Sequence, residues 1–536
     1  MSEYKFREGQ EKIVNDVIEA TRDYKVILID APTGAGKSFI NLVIANMKGS
    51  GYITTPLKLL VDQYSDSIEK EPSYKGMGTI LKGRNAYPCN YLRYSGVEDA
   101  TADGAPCEAP PKDWTCPEKI RCEYYIKRDI ARKSKVTVST LAYTFTGIRK
   151  GMNIMVKVPE TDPPIYEPLW SKRKVLIIDE AHNIDDQLVD FFSIRIGRKS
   201  LRKRINDTMS ISFNYDELNK DPTLDKLRML LQDELREIEE LEKHELDQQS
   251  GGRLAELKTS IMRMYEKLNK DVRFIYDKVD DTHLWKPYEV YPFTKEFFEK
   301  FDNIILSSAT FVMPELLLHS IGLPEKYKIF KMPSTFPIKN ALVKLVPVCK
   351  VSTKTDEELI SGMEKIMPAL ERIAETHKTE RGFIHCKSYA IQEYIFKHAS
   401  EKLKMRFYRH DKDTREENLN YWLKEGQNDS IFLSVHMGEG VDLKGDLARW
   451  QVIIKTPYLY LKDKYVFTHF KDTNGQLWYN QKAIIELIQM CGRVMRSQDD
   501  WGITYVLDTM AMSLLMGNSN MLPTWFKERV KIARAY

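Results

Sequence analysis

The chain has 536 residues, 42% of them apolar, so it can form several hydrophobic cores, and its net charge of +4 is too small to indicate a nucleic-acid partner by itself. No apolar run approaches the roughly 20 residues of a membrane-spanning helix, and the polar N-terminus does not read as a signal peptide, which predicts a soluble intracellular protein with no membrane partner. The seven cysteines are not expected to form disulfides in that compartment.

The first informative stretch joins an apolar strand to a glycine-rich turn. Residues 26–29 read as a buried strand, and the turn after them fits the phosphate-loop spacing G-x-x-x-x-G-K-[ST], with alanine at the first glycine position. Lys37 is expected to reach the β- and γ-phosphates of a nucleotide, and the Ser38 hydroxyl to bind Mg²⁺. The residues assigned to nucleotide binding are Ala31, Pro32, Thr33, Gly34, Ala35, Gly36, Lys37 and Ser38.

Two segments beside this loop give weaker indications. Arg7 and Gln10 precede a predicted helix over residues 12–21, where a glutamine can read the adenine edge, although an exposed helix start explains the same residues equally well. Residues 51–56 predict a second strand with a Thr-Thr-Pro end. The hydroxyls of Thr54 and Thr55 are candidates for binding a nucleic-acid phosphate.

Four of the seven cysteines fall within residues 83–130, which interrupt the alternation of strands and helices. Seventeen, eight and five residues separate successive members of the set Cys89, Cys107, Cys116 and Cys122. Structural zinc sites favour close C-x₂₋₄-C pairs, which are missing from this stretch, whereas widely spaced thiolates suit an iron–sulfur cluster held by several loop segments. The spacing leaves three readings open: a cluster, a zinc ion or free buried thiols.

Two further strands end in polar residues. Residues 175–182 read Val-Leu-Ile-Ile-Asp-Glu-Ala-His, which predicts that Asp179 binds Mg²⁺ and that Glu180 takes the proton from an attacking water. His182 is expected to couple the nucleotide site to movement of a second domain. The strand at 303–306 ends in hydroxyl residues assigned to the same coupling, namely Ser307, Ser308 and Thr310.

Between these strands the pattern becomes helical. Apolar residues recur at helical spacing over 224–241 and over 254–268, which predicts an antiparallel helical hairpin with its turn at residues 250–252. This hairpin is expected to be inserted into the first sheet domain, because a sheet strand follows it.

A second strand–helix alternation begins near residue 345. Its candidate strands are residues 382–385, 405–408, 431–435, 451–456 and 504–508. Gln489, Arg493 and Arg496 stand at i, i+4 and i+7 of a predicted helix and would share one face. Two arginines and a glutamine on one face suit recognition of a γ-phosphate across an interdomain cleft.

The order of these motifs resembles that of superfamily 2 helicases. The phosphate loop, Asp-Glu-Ala-His, Ser-Ser-Ala-Thr, Gly-Glu-Gly-Val-Asp at 438–442 and Gln-x-x-Gly-Arg-x-x-Arg at 489–496 look like motifs I, II, III, V and VI. A four-cysteine insert opened by Lys-Gly-Arg-Asn-Ala-Tyr-Pro-Cys at 82–89, with a helical insert after the DEAH box, narrows the resemblance to iron–sulfur XPD/DinG-like DNA helicases.

The resemblance implies an α/β fold with two tandem RecA-like parallel-sheet domains, the first carrying an iron–sulfur insert and a helical arch-like insert. The expected divisions are 1–82, 131–190 and 300–344 for motor domain 1, 83–130 for the cluster insert, 191–299 for the arch and 345–536 for motor domain 2. The implied activity is ATP-dependent unwinding of DNA by a monomeric motor that moves 5′ to 3′ on single-stranded DNA and acts at duplex junctions.

The resemblance also assigns individual residues. It implies a 4Fe–4S cluster on the four cysteines of the insert, with zinc as the weaker alternative, and ATP with Mg²⁺ in the motor. Gly440 and Asp442 are assigned to nucleotide binding, Arg84 to DNA, and Gln489, Arg493 and Arg496 to catalysis together with Lys37, Asp179 and Glu180. Two other classes share the ATP motifs: a DEAH-type RNA helicase, and a DNA-dependent translocase that does not separate strands.

Overall fold

The structure is a computed structural model of the chain. It describes residues 5–32, 34–94, 99–103, 105–108, 115–157, 166–198, 203–204, 210–211, 213–244, 248–333, 337–435, 443, 445–494 and 500–533. Within those ranges, no helix is long and apolar enough to cross a bilayer.

Strands and helices alternate along the chain around two insertions. The strands are β1 (Val26–Asp30), β2 (Gly51–Thr55), β3 (Thr79–Leu81), β4 (Val136–Thr140), β5 (Met155–Lys157), β6 (Tyr166–Pro168), β7 (Val175–Asp179), β8 (Ile194–Gly197), β9 (Lys203–Arg204), β10 (Ser210–Ile211), β11 (Phe274–Val279), β12 (Thr282–Pro287), β13 (Asn303–Ser308), β14 (Tyr327–Lys331), β15 (Val343–Cys349), β16 (Gly382–His385), β17 (Phe407–Arg409), β18 (Ile431–Ser434), β19 (Trp450–Ile453), β20 (Ile503–Asp508) and β21 (Val530–Ile532). The helices are α1 (Gln10–Ala20), α2 (Lys37–Met47), α3 (Lys58–Lys70), α4 (Asn90–Tyr94), α5 (Glu123–Lys133), α6 (Leu141–Tyr143), α7 (Arg149–Gly151), α8 (Ile184–Phe192), α9 (Tyr215–Lys220), α10 (Leu224–Leu241), α11 (Gln248–Leu268), α12 (Tyr291–Glu299), α13 (Pro314–Ile321), α14 (Asp356–Thr376), α15 (Tyr389–His398), α16 (Glu401–Lys404), α17 (Arg415–Glu425), α18 (Lys464–Phe470), α19 (Gly475–Cys491), α20 (Thr509–Gly517) and α21 (Thr524–Arg529).

The first motor domain is a seven-stranded parallel sheet in the order β14-β1-β13-β7-β2-β4-β3. Both faces of β1 are buried: Val26 and Leu28 pack into one apolar core, and Ile27 and Ile29 into the other. β13 lies between β1 and β7, so that its last residues stand beside the ends of both neighbours. The carboxyl ends of these three strands therefore bring the predicted motifs I, II and III together.

The second motor domain is another seven-stranded parallel sheet, in the order β17-β18-β16-β19-β20-β15-β21. The predicted strand at 382–385 coincides with β16, while β17 starts two residues later than its prediction and β15 begins at Val343. The two parallel-sheet α/β domains confirm the predicted fold class.

The helical insert has a β-sheet base as well as the predicted hairpin. Helices α10 and α11 bury their leucines against each other, above an antiparallel sheet in the order β11-β12-β8. The predicted turn at residues 250–252 is wrong, because these residues lie inside α11 and the chain leaves α10 after Leu241. Ser250 is buried, so packing outweighs the roughly 1 kcal/mol that each glycine costs in a helix.

The cysteine-rich insert is mostly irregular and packs on one edge of the first sheet. Its helix α5 contacts the edge strand β3 and its neighbour β4, with Tyr124 and Tyr125 in the apolar core. This helix runs to Lys133, three residues past the expected end of the insert. The insert is therefore attached to the motor through a packed helix.

The second motor domain contacts the first domain and its helical insert through charged and aromatic pairs. Lys482 Nζ on α19 lies 2.8 Å from both carboxylate oxygens of Asp185 and 2.7 Å from Asp186 Oδ2, at the start of α8. On the insert, the Tyr288 ring stacks on His469 with centroids 4.2 Å apart. The Lys482 contacts join α19 to the helix that follows the Asp-Glu-Ala-His segment, and the ring stack joins α18 to the insert.

Candidate active site

The predicted phosphate loop connects β1 to α2 in a conformation that needs its glycines. Gly34 and Gly36 have φ angles of +84° and +78°, in the region that side chains other than glycine rarely adopt. A Cβ atom on Gly36 would lie 2.4 Å from the Gln10 amide nitrogen. Ala31 has no such requirement, because it is not among the residues with positive φ, and this explains why alanine replaces the first glycine. Thr33 lies outside the described residues.

Lys37, the first residue of α2, is paired with Glu180. Its Nζ lies 3.3 Å from Glu180 Oε1, and it also donates to the Ala31 carbonyl oxygen at 3.4 Å. The first turn of α2 contains no acidic residue, so the loop presents a helix N-terminus and an ammonium group at one point. That combination is suited to binding phosphate.

The two carboxylates at the end of β7 have opposite pKa shifts. Burial and the neighbouring Glu180 carboxylate together raise the pKa of Asp179 to about 6. Burial also acts to raise the pKa of Glu180, but Lys37 and His182 outweigh it and hold that pKa below its ordinary value. Glu180 has a φ of 49°, which turns the chain sharply after β7. One buried carboxylate thus stands beside another that is ionised and paired with a cation.

The residues predicted to couple the site to domain movement are in contact with one another. His182 Nδ1 lies 2.9 Å from Ser308 Oγ and 3.4 Å from Glu180 Oε2, and the Thr310 backbone N–H donates to Ser308 Oγ at 3.4 Å. Ser307 is buried beside Asp179 in the sheet register. A hydrogen-bonded path therefore runs from the carboxylate pair to the end of β13, while its coupling role stays a prediction.

Gln10, the first residue of α1, is buried and hydrogen-bonded to the phosphate loop rather than exposed to solvent. It is 2% exposed, its Nε2 donates to the Ala35 carbonyl oxygen at 2.9 Å, and its Oε1 accepts from the Arg7 backbone N–H at 2.8 Å. Gln10 thus contacts the loop directly and Arg7 contacts Gln10, whereas nucleotide binding by these residues stays a prediction.

On the second domain the predicted common helix face of Gln489 and Arg493 is wrong. Helix α19 ends at Cys491, and Arg493 follows in a turn that buries it beside His385. Burial and the Arg493 charge together lower the pKa of His385 to about 4. Gln489 is half-buried on the last turn of α19. Arg496, Gly440 and Asp442 lie outside the described residues.

The DNA-binding candidates have their polar groups engaged inside the protein. Thr54 and Thr55 are fully buried; Thr54 Oγ1 accepts from Thr144 at 3.1 Å, and Thr55 Oγ1 donates to the Leu57 carbonyl oxygen at 3.0 Å. The Arg84 guanidinium lies over the Tyr124 ring at 4.6 Å and donates to Cys107 Sγ at 3.5 Å. Arg84 therefore supports the cysteine-rich insert, and the predicted DNA contacts remain untested.

The four cysteines of the insert are free thiols in one neighbourhood. Cys89 is buried and the other three are half-buried. Burial raises the pKa of both Cys89 and Cys116, and the nearby thiols of the set raise it further. Within the part of the chain that the structure describes, no three histidine, cysteine or acidic side chains form a group that could hold a metal ion. The donor types fit a thiolate-bound group, but the cysteines are not closed around one.

Two residues that the sequence did not single out complete the site. Tyr64 on α3 donates from Oη to Asp179 Oδ2 at 2.9 Å, and Lys482 binds the aspartates after the DEAH segment. The adjacent aspartates after His182 were a visible signal for a cationic partner, whereas no local pattern marks Tyr64.

Sequence-family comparisons match both motor domains. The family described as type III restriction enzyme, res subunit, matches residues 3–213, and the helicase C-terminal domain family matches residues 370–529. A search of curated proteins gives no significant match. These matches fall on the two parallel-sheet domains described above.

Three solved structures have a fold similar to that of this chain over almost its whole length. A structure titled XPD_Helicase is 17% identical, with a TM-score of 0.65, covering 99% of this chain and 100% of that one. A structure titled XPD_APO is 16% identical with a TM-score of 0.59, covering 97% and 100%, and S. tokodaii Xpd4 is 16% identical with a TM-score of 0.58, covering 98% and 100%. The chain has the same fold as these XPD structures, and the predicted resemblance to XPD-like helicases is confirmed at the level of the fold.

Proposed function

We propose that this chain is an ATP-dependent DNA helicase that translocates 5′ to 3′ on single-stranded DNA and unwinds duplex at junctions. The observation that carries the proposal is the meeting of Lys37, Asp179 and Glu180 at the carboxyl edge of the first sheet, beside the phosphate loop. The polarity rests on the motif resemblance.

In the structure the Lys37 ammonium group is held by Glu180. A triphosphate bound in the loop competes for this ammonium group, because its charge is larger and the α2 N-terminus points at it. Transfer of Lys37 to the phosphate removes the main stabilisation of the Glu180 carboxylate. Glu180 then becomes a stronger base at the moment when a water must be deprotonated. Mg²⁺ held by Ser38 and Asp179 would neutralise charge on the transferring phosphoryl group.

In the proposed ATP hydrolysis cycle, the second domain acts through α19. Lys482 anchors this helix to the start of α8, and the same helix leads to Gln489 and the turn with Arg493. Closure of the cleft would bring the arginine to the γ-phosphate, where an arginine is worth roughly 10³-fold or more in rate. Reopening after hydrolysis would return the domains to their starting separation and advance the DNA.

For the insert we propose a 4Fe–4S cluster held by Cys89, Cys107, Cys116 and Cys122. Support comes from the donor chemistry: four thiols share one neighbourhood, and Arg84 donates to one of them. An insert with little apolar core of its own would gain stability from such a group. Iron and zinc content after anaerobic purification separates the two candidates. Stoichiometric zinc without iron would reject the cluster.

The motor proposal is tested with the full chain, ATP and short nucleic acids. Hydrolysis should rise with single-stranded DNA more than with RNA, and a 5′-tailed duplex should be unwound in preference to a 3′-tailed one. RNA stimulation above that by DNA would favour an RNA helicase, and ATP hydrolysis without strand separation would favour a translocase.

Lys37→Ala should abolish both hydrolysis and unwinding, because it removes the cation that faces the phosphates. Lys48→Ala is the matched control at the other end of α2, where Lys48 Nζ donates to Thr21 Oγ1 at 3.0 Å. Parent-level ATP hydrolysis by Lys37→Ala would reject the assignment of the site.

A further inference from the structure

A buried tyrosine lies directly against the carboxylate assigned to Mg²⁺. Tyr64 on α3 is 1% exposed, and its Oη donates to Asp179 Oδ2 at 2.9 Å. The same Oη accepts from Asn41 Nδ2 at 3.1 Å, and Asn41 lies fully buried on α2, one turn after Lys37. The donor on Asn41 leaves the phenol proton directed at Asp179, so the three side chains form one chain of hydrogen bonds.

Both oxygens of the Asp179 carboxylate are fixed by this arrangement. Oδ2 accepts from Tyr64, and Oδ1 accepts from the Glu180 backbone N–H at 3.0 Å. A carboxylate that is bonded at both oxygens keeps one rotamer, and each oxygen retains a lone pair for a further ligand. Hydrogen bonds from outer-shell groups are known to orient metal ligands in this way.

We propose that Tyr64 is a positioning residue, which holds the Asp179 carboxylate in the orientation that binds Mg²⁺ with the nucleotide. The proposal rests on the proposed ATPase function, because it concerns the metal of that reaction. Helix α3 begins three residues after Thr55, so the element that carries Tyr64 also leaves the end of β2. No sequence motif marks this residue, and its assignment depends only on the contacts at Asp179.

A merely structural role would show a different behaviour. Tyr52 on β2 offers a matched comparison in the same domain: it is fully buried, and its hydroxyl donates to the Ser171 carbonyl oxygen at 2.8 Å. Tyr64→Phe and Tyr52→Phe each remove one buried phenolic hydrogen bond, which costs a similar amount of stability. Only Tyr64→Phe removes a bond to a residue assigned to the metal.

The test is ATP hydrolysis by the full chain, titrated with MgCl₂ at fixed ATP in the presence of single-stranded DNA. Tyr64→Phe should raise the half-saturating Mg²⁺ concentration by about tenfold, as outer-shell changes at metal sites do, with kcat at saturating Mg²⁺ within about twofold of the parent. Tyr52→Phe should leave the half-saturating concentration unchanged. Mn²⁺ binding in the presence of ADP, followed by electron paramagnetic resonance, should weaken in parallel without any turnover.

Asn41→Leu gives a second variant that does not touch Asp179. It removes the donor to Tyr64 and should shift the Mg²⁺ dependence in the same direction by a smaller factor. If the parent hydrolyses ATP and Tyr64→Phe has parent-like Mg²⁺ and Mn²⁺ dependence, the positioning role is rejected while the proposed function stands. If the parent shows no Mg²⁺-dependent ATP hydrolysis, the proposed function fails, and this assignment fails with it.

Discussion

Replacing Lys482 by methionine should loosen the contact between the two motor domains. Lys482 is 7% exposed, and the side chain of Asp185 is 13% exposed, so the substitution leaves a carboxylate unpaired in a largely buried setting. Burial acts to lower the pKa of Lys482, but Asp185 and Asp186 outweigh it and hold that pKa above its ordinary value, which means that the lysine is charged in the folded protein.

The loss of unfolding free energy expected for Lys482→Met follows from the burial of the ion pair. Breaking a buried ion pair by removing one partner costs about 3–5 kcal/mol. Asp186 is 46% exposed and keeps much of its hydration, so about 2–4 kcal/mol is expected for Lys482→Met. Because α19 continues to Gln489, the looser contact should also lower the kcat of ATP hydrolysis, by about tenfold if roughly 1.4 kcal/mol of the loss appears in the transition state.

The assay is urea unfolding followed by tryptophan fluorescence, together with DNA-stimulated ATP hydrolysis. Lys464→Met is the control, since Lys464 also crosses from the second domain to the insert, at 3.5 Å from Asp277, but is 59% exposed and should contribute less than about 1 kcal/mol. A variant that combines Lys482→Met with Asp185→Asn and Asp186→Asn should recover much of the stability, because no unpaired charge remains. A loss below about 0.5 kcal/mol in Lys482→Met would refute this reasoning.

Three further predictions concern the nucleotide site. Glu180→Gln should lower ATP hydrolysis by about 100-fold or more while ATP binding stays near the parent value, and a comparable loss in both single-turnover and binding assays would contradict its role as a base. Burial raises the pKa of Asp30 from 3.8 to about 6, so the native state keeps the proton to a higher pH than the unfolded chain does. The free energy of unfolding of the parent therefore falls as the pH rises from about 4 to 6. Asp30→Asn should therefore be more stable than the parent by about 2 kcal/mol near pH 8 and equal to it near pH 4 in urea unfolding, and equal stability at both pH values would show that the shift is absent. Gly36→Ala should weaken ATP binding, measured by calorimetry, because its Cβ would lie 2.4 Å from the Gln10 amide nitrogen and displace it from the Ala35 carbonyl oxygen, whereas Gly76→Ala, with φ +77° and open space, should retain binding.

The sequence predicted those parts of the fold that depend on local patterns. The apolar run before the phosphate loop became β1, and the strand at 382–385 was placed at its observed bounds, because short apolar segments between turn residues are typical of buried parallel strands. Lys37, Asp179 and Glu180 were placed together because strand ends of a parallel sheet meet at one edge.

The errors lie where long-range packing overrides local preference. The Ser-Gly-Gly segment predicted a turn, but it lies inside α11, where Ser250 is buried. Tyr64 is 115 residues from Asp179 in sequence, and Lys482 is 297 residues from Asp185, so no local pattern predicts either contact. The sequence did not predict that α19 ends before Arg493. The spacing of Gln489, Arg493 and Arg496 is helical, but the helix itself ends at Cys491.

The backbone of Glu180 has a consequence for how this protein would evolve. A glutamate with φ 49° and ψ 47° costs roughly 1 kcal/mol or more relative to a residue suited to that region, such as glycine or asparagine. Selection of a random library for thermal stability alone should therefore enrich those residues at position 180 and produce inactive motors. Selection for DNA-stimulated turnover should restore the glutamate, because the proton acceptor and the favourable backbone residue are different amino acids at this one position.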